Sequence, residues 1–344
     1  MAISTRISQA LQELPKTELH LHIEGTLEPE LALRLAERNG VTLPFDGLAD
    51  LRSRYHFADL QSFLDLYYQL MGVLRTREDF SDLMFAYLTH AHEDGVRRAE
   101  IFFDPQVHMN NGLDYNLVLD GLQDGIARGR TEYGIDAALI LSVVRDLPVE
   151  SAQALLDAAE PRADELLAIG LDSAEVGYPP ELFEQVYERA AGMGLHLVAH
   201  AGEEGPAEYI RQALDVLHVE RIDHGVRIVD DPALVQRVAA EGIGLTVCPL
   251  SNLRLQVVDD VAKVPIRQLL DAGVRVTVNS DDPAYFGGYI ARNYMALAEA
   301  GLPMTALAAI AGNSIDACFA PEEGKAAMRA ELDRWKAEYA DLLA

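Results

Sequence analysis

Short apolar runs alternate along the chain with longer stretches whose apolar residues recur at helical spacing. The short runs fall at residues 18–23, 99–103, 138–144, 167–173, 196–201, 221–224, 244–248 and 275–279, and most of them end in a polar cluster. Between them lie helical stretches such as 181–193, 232–241 and 265–272. Strand-length runs separated by helix-length ones are the pattern of βα units, in which a parallel sheet is covered by helices. Eight such units predict an α/β fold of the closed (β/α)8 TIM-barrel type, with an open doubly wound sheet as the alternative.

The 344 residues fit one barrel with insertions, so the chain reads as a single catalytic domain, 1–344. The largest insertion, 26–98, lies between the first and second strands and carries aromatic-rich helix candidates at 63–68 and 80–90. Segments after barrel strands lie at the active face, so this one reads either as a lid or as helices covering the barrel. Residues 321–344 read as an amphipathic terminal helix, packed on its own barrel or on a neighbour; a homo-oligomer and a lone chain are both compatible with it.

Charge narrows the partners. Acidic residues outnumber basic ones 55 to 28, a formal charge of −27. Such a surface repels phosphate backbones and anionic lipid, which argues against nucleic acid and membrane and leaves a small molecule. No apolar run approaches the roughly 20 residues of a membrane span, and 1–16 has none of signal-peptide length. Cys248 and Cys318 are the two cysteines and form no CxxC, so a disulfide framework is not expected and a cytoplasmic, reducing location is.

Barrel enzymes place their chemistry at the C-terminal ends of the strands. Here strand one runs into Glu18-Leu19-His20-Leu21-His22-Ile23-Glu24-Gly25. Strand residues two apart share a side, so His20 and His22 can both face the axis and hold one metal ion. The ends of strands five and eight, His200-Ala201-Gly202-Glu203-Glu204 and Asn279-Ser280-Asp281-Asp282-Pro283, offer a third imidazole and a carboxylate, His200 and Asp281. Three nitrogens and one oxygen, with a position left for water, suit catalytic zinc; iron and cobalt accept the same donors. Strand six ends in Ile222-Asp223-His224-Gly225, where His224 can orient or deprotonate a water beside the metal. Two-metal barrels are often bridged by a modified lysine at the end of strand four. The four lysines, Lys16, Lys263, Lys325 and Lys336, all lie elsewhere, so one ion per chain is the simpler reading.

These motifs, together with Pro15-Lys16-Thr17 before them and Cys248-Pro249-Leu250-Ser251-Asn252, resemble the adenosine/AMP deaminase family in order from about Pro15 to Tyr285. Phe102-Phe103-Asp104-Pro105-Gln106-Val107-His108 and Gly170-Leu171-Asp172-Ser173-Ala174-Glu175-Val176-Gly177 are most similar to its adenine deaminase branch. The resemblance implies a cytoplasmic hydrolase of purine salvage that turns adenine into hypoxanthine and ammonia, breaking the C–N bond of a cyclic amidine. Adenosine, an N6-substituted adenine and aminodeoxyfutalosine are the alternative substrates. It implies that His20, His22, His200 and Asp281 bind zinc, that Glu203 protonates N1, that His224 handles the attacking water and that Asp282 bonds N7. The chain departs from the adenosine deaminases at two places. Glu175 stands where they carry a glycine that contacts the purine, and Glu24 where they often carry an aspartate that reaches the ribose. Both departures favour a free base, with Glu175 expected to reshape the region beside the base and sugar.

Overall fold

A computed structural model describes residues 3–344. Eight strands, β1 (Lys16–Glu18), β2 (Val96–Phe103), β3 (Asp136–Val144), β4 (Ala168–Asp172), β5 (His196–Ala201), β6 (Arg221–His224), β7 (Gly244–Val247) and β8 (Arg275–Val278), lie side by side in chain order, every neighbouring pair parallel. This is the (β/α)8 barrel expected. The strands are buried on both faces, so they read as near-continuous apolar runs.

Strand one differs from expectation. Regular pairing covers only Lys16–Glu18, because at Leu19 the Asn279 side chain takes the place of a ladder carbonyl and accepts the N–H at 2.8 Å. Beyond it Leu21 bridges to Asp281, and His22 to Phe102. His22 N–H donates to the Asp281 carbonyl at 3.0 Å, and Asp281 N–H to the His20 carbonyl at 3.1 Å. The barrel is therefore closed by the backbone of the very residues singled out as metal ligands.

Inside, Phe102, Ile140, Ala168 and Val198 form a buried layer below the strand ends. Phe102 fits because Gly170 faces it; a β-carbon there would lie 2.6 Å from its ring. The His22 ring stacks on Phe102 with centroids 5.0 Å apart, so this layer is the floor on which one candidate ligand rests. At the opposite end Glu100 ties the barrel together, accepting from Arg98 at 2.9 Å and from Arg221 at 2.6 Å.

The segment between β1 and β2 folds into helices Pro29–Asn39, Gly47–Ser53, Leu60–Met71 and Arg77–Glu93. Leu60–Met71 starts at a reciprocal cap, in which Asp59 accepts the Ser62 N–H and Ser62 the Asp59 N–H. Its buried aromatics Phe63 and Tyr67 pack on Tyr285 and Phe286 beyond β8, which lays the helix across the mouth of the barrel. The terminal helix, Glu322–Glu338, packs on its own chain, where Trp335 Nε1 donates to the Ala10 carbonyl at 2.8 Å. Among the described residues no helix is long and apolar enough to cross a membrane.

Candidate active site

The strand ends bring His20, His22, His200 and Asp281 together in a buried cluster. His22 Nε2 lies 3.2 Å from His200 Nε2, and Asp281 Oδ1 lies 3.4 Å from His20 Nε2 and 3.6 Å from His22 Nε2. Donors bonded tetrahedrally to zinc at about 2.0–2.2 Å stand roughly 3.3–3.6 Å apart, so these spacings fit one ion. His20 Nε2 is a buried nitrogen with no hydrogen-bond partner, as a waiting ligand would be. His224 also lies within reach of this group, each of His20, His200, His224 and Asp281 offering an atom within 4.8 Å of the others. Its Nε2 is more distant from Asp281, 3.8 Å from Oδ2, and faces Glu203 Oε2 at 3.6 Å. His22 is therefore the better fourth donor, and His224 stands between that set and Glu203.

The candidate ligand rings are held from behind. His20 Nδ1 is 2.9 Å from Thr246 Oγ1, and that hydroxyl donates to Asp223 Oδ1 at 2.8 Å. His22 Nδ1 is 3.5 Å from Asp172 Oδ2. Such outer partners fix which ring nitrogen is free to bind. His224 and Asp281 have φ of 60° and 65°, left-handed conformations that side chains rarely adopt and that cluster at functional sites.

Burial sets the protonation states. Burial, with the charge of His20, lowers His224 to about 3, so its imidazole is neutral and able to accept a proton. His200 is likewise held well below the ordinary histidine range, first by burial and then by His20. Asp281 goes the other way: burial pushes it up, but His20 and the neighbouring imidazoles outweigh this and keep it ionised. Burial and the negative charge of Asp281 push Glu203 and Asp282 well above the carboxylate range, which favours their protonated, donating form. Asp282 Oδ1 is buried without a partner, and it fits only because residue 25 is glycine: a β-carbon there would fall 1.9 Å from that oxygen.

The cluster opens into a cleft with about 390 Å³ of empty space, part of it open to solvent. One wall is His22, His200, Glu203, His224, Asp281 and Asp282; the roof comes from Leu60, Phe63, Leu64, Tyr67 and Tyr68. Phe63 and Tyr67 thus both pack the core and face the cleft. The third side holds Asp104, Asp172 and Ser173, where Ser173 Oγ meets Tyr68 OH at 2.8 Å. Asp104 is pushed up to about 7 by burial and by Glu24, and Asp172 well above its usual range by burial and by Asp104. Both shifts favour the neutral carboxyl. They form a second group with His22 able to touch a cation, but their protonation makes it a poor one.

Glu24 and Glu175 are placed differently from expectation. Neither lines the cleft. Glu24 Oε1 accepts from His108 Nε2 at 2.8 Å and from the Asp104 N–H at 3.2 Å, a buried support behind the third wall. Glu175 turns away from the cleft into the loop after β5. Lys16, the lysine nearest the site in sequence, donates to the carbonyls of Leu14 and Asp94 at the far end of the barrel. Cys248 is buried, its thiol pushed well up by burial. Asp104 was missed as a candidate site residue although it directly follows the apolar run 99–103, the signal that exposed the others; Thr246 lies in the middle of the run 244–248 and carries no such signal.

The model of the adenosine deaminase family matches residues 15–335. An adenine deaminase of Streptomyces coelicolor is 56% identical over 330 residues, 95% of this chain and 97% of that one. The crystal structure of an adenine deaminase from Arthrobacter aurescens superposes with a TM-score of 0.92 at 50% identity, covering 94% of this chain and 99% of that one. An amidohydrolase from Burkholderia ambifaria, solved with bound zinc, superposes with a TM-score of 0.91 at 30% identity, covering all of this chain and 96% of its own. With the barrel, the converging donors and the protonated acids in place, this chain belongs to the adenosine deaminase family.

Proposed function

We propose that the protein hydrolyses adenine to hypoxanthine and ammonia in the cytoplasm, using one zinc ion held by His20, His22, His200 and Asp281. One juxtaposition carries the reading: a protonated Glu203 and a neutral His224 stand 3.6 Å apart beside four donors spaced for a metal. Relatives named adenine deaminase at 50–56% identity support the substrate, and the zinc in a relative at 30% supports the metal. Two unpaired, buried cysteines fit a reducing compartment.

Zinc bound there supplies Lewis acidity that makes a water nucleophilic near neutral pH. Glu203 donates its proton to N1 of the purine, which draws electron density away from C6. His224 orients the attacking water and takes up its proton. Oxygen adds to C6, the amino group takes the proton held by His224, and the C6–N bond breaks with loss of ammonia; the remaining hydroxyl proton passes to Glu203 and restores it. Asp282, being protonated, donates to N7, a ring nitrogen that can only accept. The aromatic roof and the buried carboxyls Asp104 and Asp172 complete the pocket around the substrate.

Ammonia release from adenine and adenosine, compared side by side with zinc-loaded protein, tests the substrate. Adenine is expected to be the better one by at least about 100-fold in kcat/KM. The reverse order assigns a nucleoside substrate, and silence from both directs the search to N6-substituted adenines and larger nucleosides. Replacing Asp282 by Ala is expected to cost roughly 10–100-fold in kcat/KM, the worth of one or two hydrogen-bond energies in a buried site. Zinc content, measured on the same preparation, stays at the wild-type level; its loss would exchange the roles of Asp281 and Asp282.

A further inference from the structure

We infer that Glu175 is a positioning residue for the proton donor Glu203, an assignment that rests on the reading of Glu203 given above. Glu175 follows β4 by three residues and is 1% exposed. Its carboxylate collects four consecutive backbone N–H groups of the loop after β5. Oε1 accepts from Gly202 at 2.6 Å, while Oε2 accepts from Glu203, Glu204 and Gly205 at 3.0, 2.9 and 2.7 Å. Successive amides wrapped round one anion form a nest, usually a site for a phosphate or another external anion. Here the anion belongs to the chain itself, so the nest works as a clamp.

The loop is built to close on that carboxylate. Gly202 has φ of 73°, which starts the wrap, and a β-carbon on Gly205 would fall 2.7 Å from the Glu175 carboxyl carbon. Arg145 braces both sides of the junction, donating to the His200 carbonyl at 2.8 Å and to the Tyr178 carbonyl at 2.7 and 2.9 Å. The clamp thereby ties the end of β4 to the end of β5, and the Glu203 amide is one of its four donors. Charge-assisted hydrogen bonds of this kind are about twice as strong as neutral ones. Because a proton must pass between Glu203 and a ring nitrogen, a misplacement of about 1 Å costs on the order of 10²-fold in rate. Both Glu175 oxygens are consumed by amides, so the residue governs the reaction through the donor it positions.

The test is Glu175→Gln in the zinc-loaded enzyme, assayed with adenine next to wild type, Glu203→Gln and the double variant. The carboxamide brings two N–H groups against four, so the clamp opens. The expected result is a loss of about 10²-fold in kcat with KM within about threefold and zinc retained. In the Glu203→Gln background the same change costs less than about threefold, because both act through one group. A wild-type kcat in Glu175→Gln overturns the inference, as does an equal loss in both backgrounds. If Glu175→Gln does not accumulate as folded protein, Glu175→Asp decides. It keeps the charge but withdraws it by about one bond, and is expected to lower kcat by about 10-fold at unchanged KM; wild-type kcat again overturns the inference. A wild-type enzyme inactive on adenine would instead remove the underlying reading, so the two failures are distinguishable.

Discussion

Glu203→Gln lowers kcat for adenine by about 10³-fold or more, while zinc content stays at the wild-type level. The side chain keeps its size and its buried position but can no longer give up a proton. Steady-state turnover and metal analysis of one preparation are sufficient; activity within about tenfold of wild type would remove the proton-donor role. Stability moves the other way. The folded-state carboxyl is raised above its unfolded value, so its contribution is fully present below the unfolded pKa and lost as pH rises through the folded one. Near neutral pH and above, the ionisable group is a liability that glutamine lacks. The thermal midpoint of Glu203→Gln at pH 8 is therefore expected to be no lower than that of wild type. An inactive variant with an undiminished midpoint marks a residue retained for chemistry.

Asp281→Asn is expected to lose both metal and activity, the latter by on the order of 10³-fold or more. Asparagine is the informative choice because it tolerates the left-handed backbone at this position, φ 65°, where alanine would add strain. What it removes is the charge that His20 and the neighbouring imidazoles hold ionised. Without that counter-charge three nitrogens face one another, and a dication in their midst is less well neutralised. Metal content after dialysis should fall well below one per chain. In parallel, chelation should abolish wild-type activity and lower the thermal midpoint, since a ligand bound only by the folded state stabilises it by about 4 kcal/mol at a thousand times its Kd. Restored zinc should return both. A variant that keeps its zinc would show that Asp281 is not a ligand.

The barrel was legible because its strands are buried on both faces and therefore stand out as apolar runs. The apolar runs match β5 and β6 at both ends, whereas the run 18–23 meets the first strand, Lys16–Glu18, only at Glu18. There a side-chain bond from Asn279 replaces the ladder, and an apolar run carries no trace of such a substitution. The proposed metal donors and acids stand out in the sequence because they lie at or near run ends, where a barrel puts its working groups. Glu175 was located but misread, since its position in the chain does not tell which way its carboxylate turns. Asp104 and Thr246 act through partners far away in sequence, Tyr67 and Glu24 for the first, His20 and Asp223 for the second. No local spacing encodes those meetings.

The seam between the first strand and the last has a consequence for biogenesis. His20 and His22 emerge early from the ribosome, but their backbone partner Asp281 comes after all the other strands. Until it arrives, the first strand has one unpaired edge, the kind of surface that invites wrong pairing. Sealing the seam and assembling the metal site are one event. A product cut short before Asp281 lacks both, so catalytic competence certifies that translation passed the last strand.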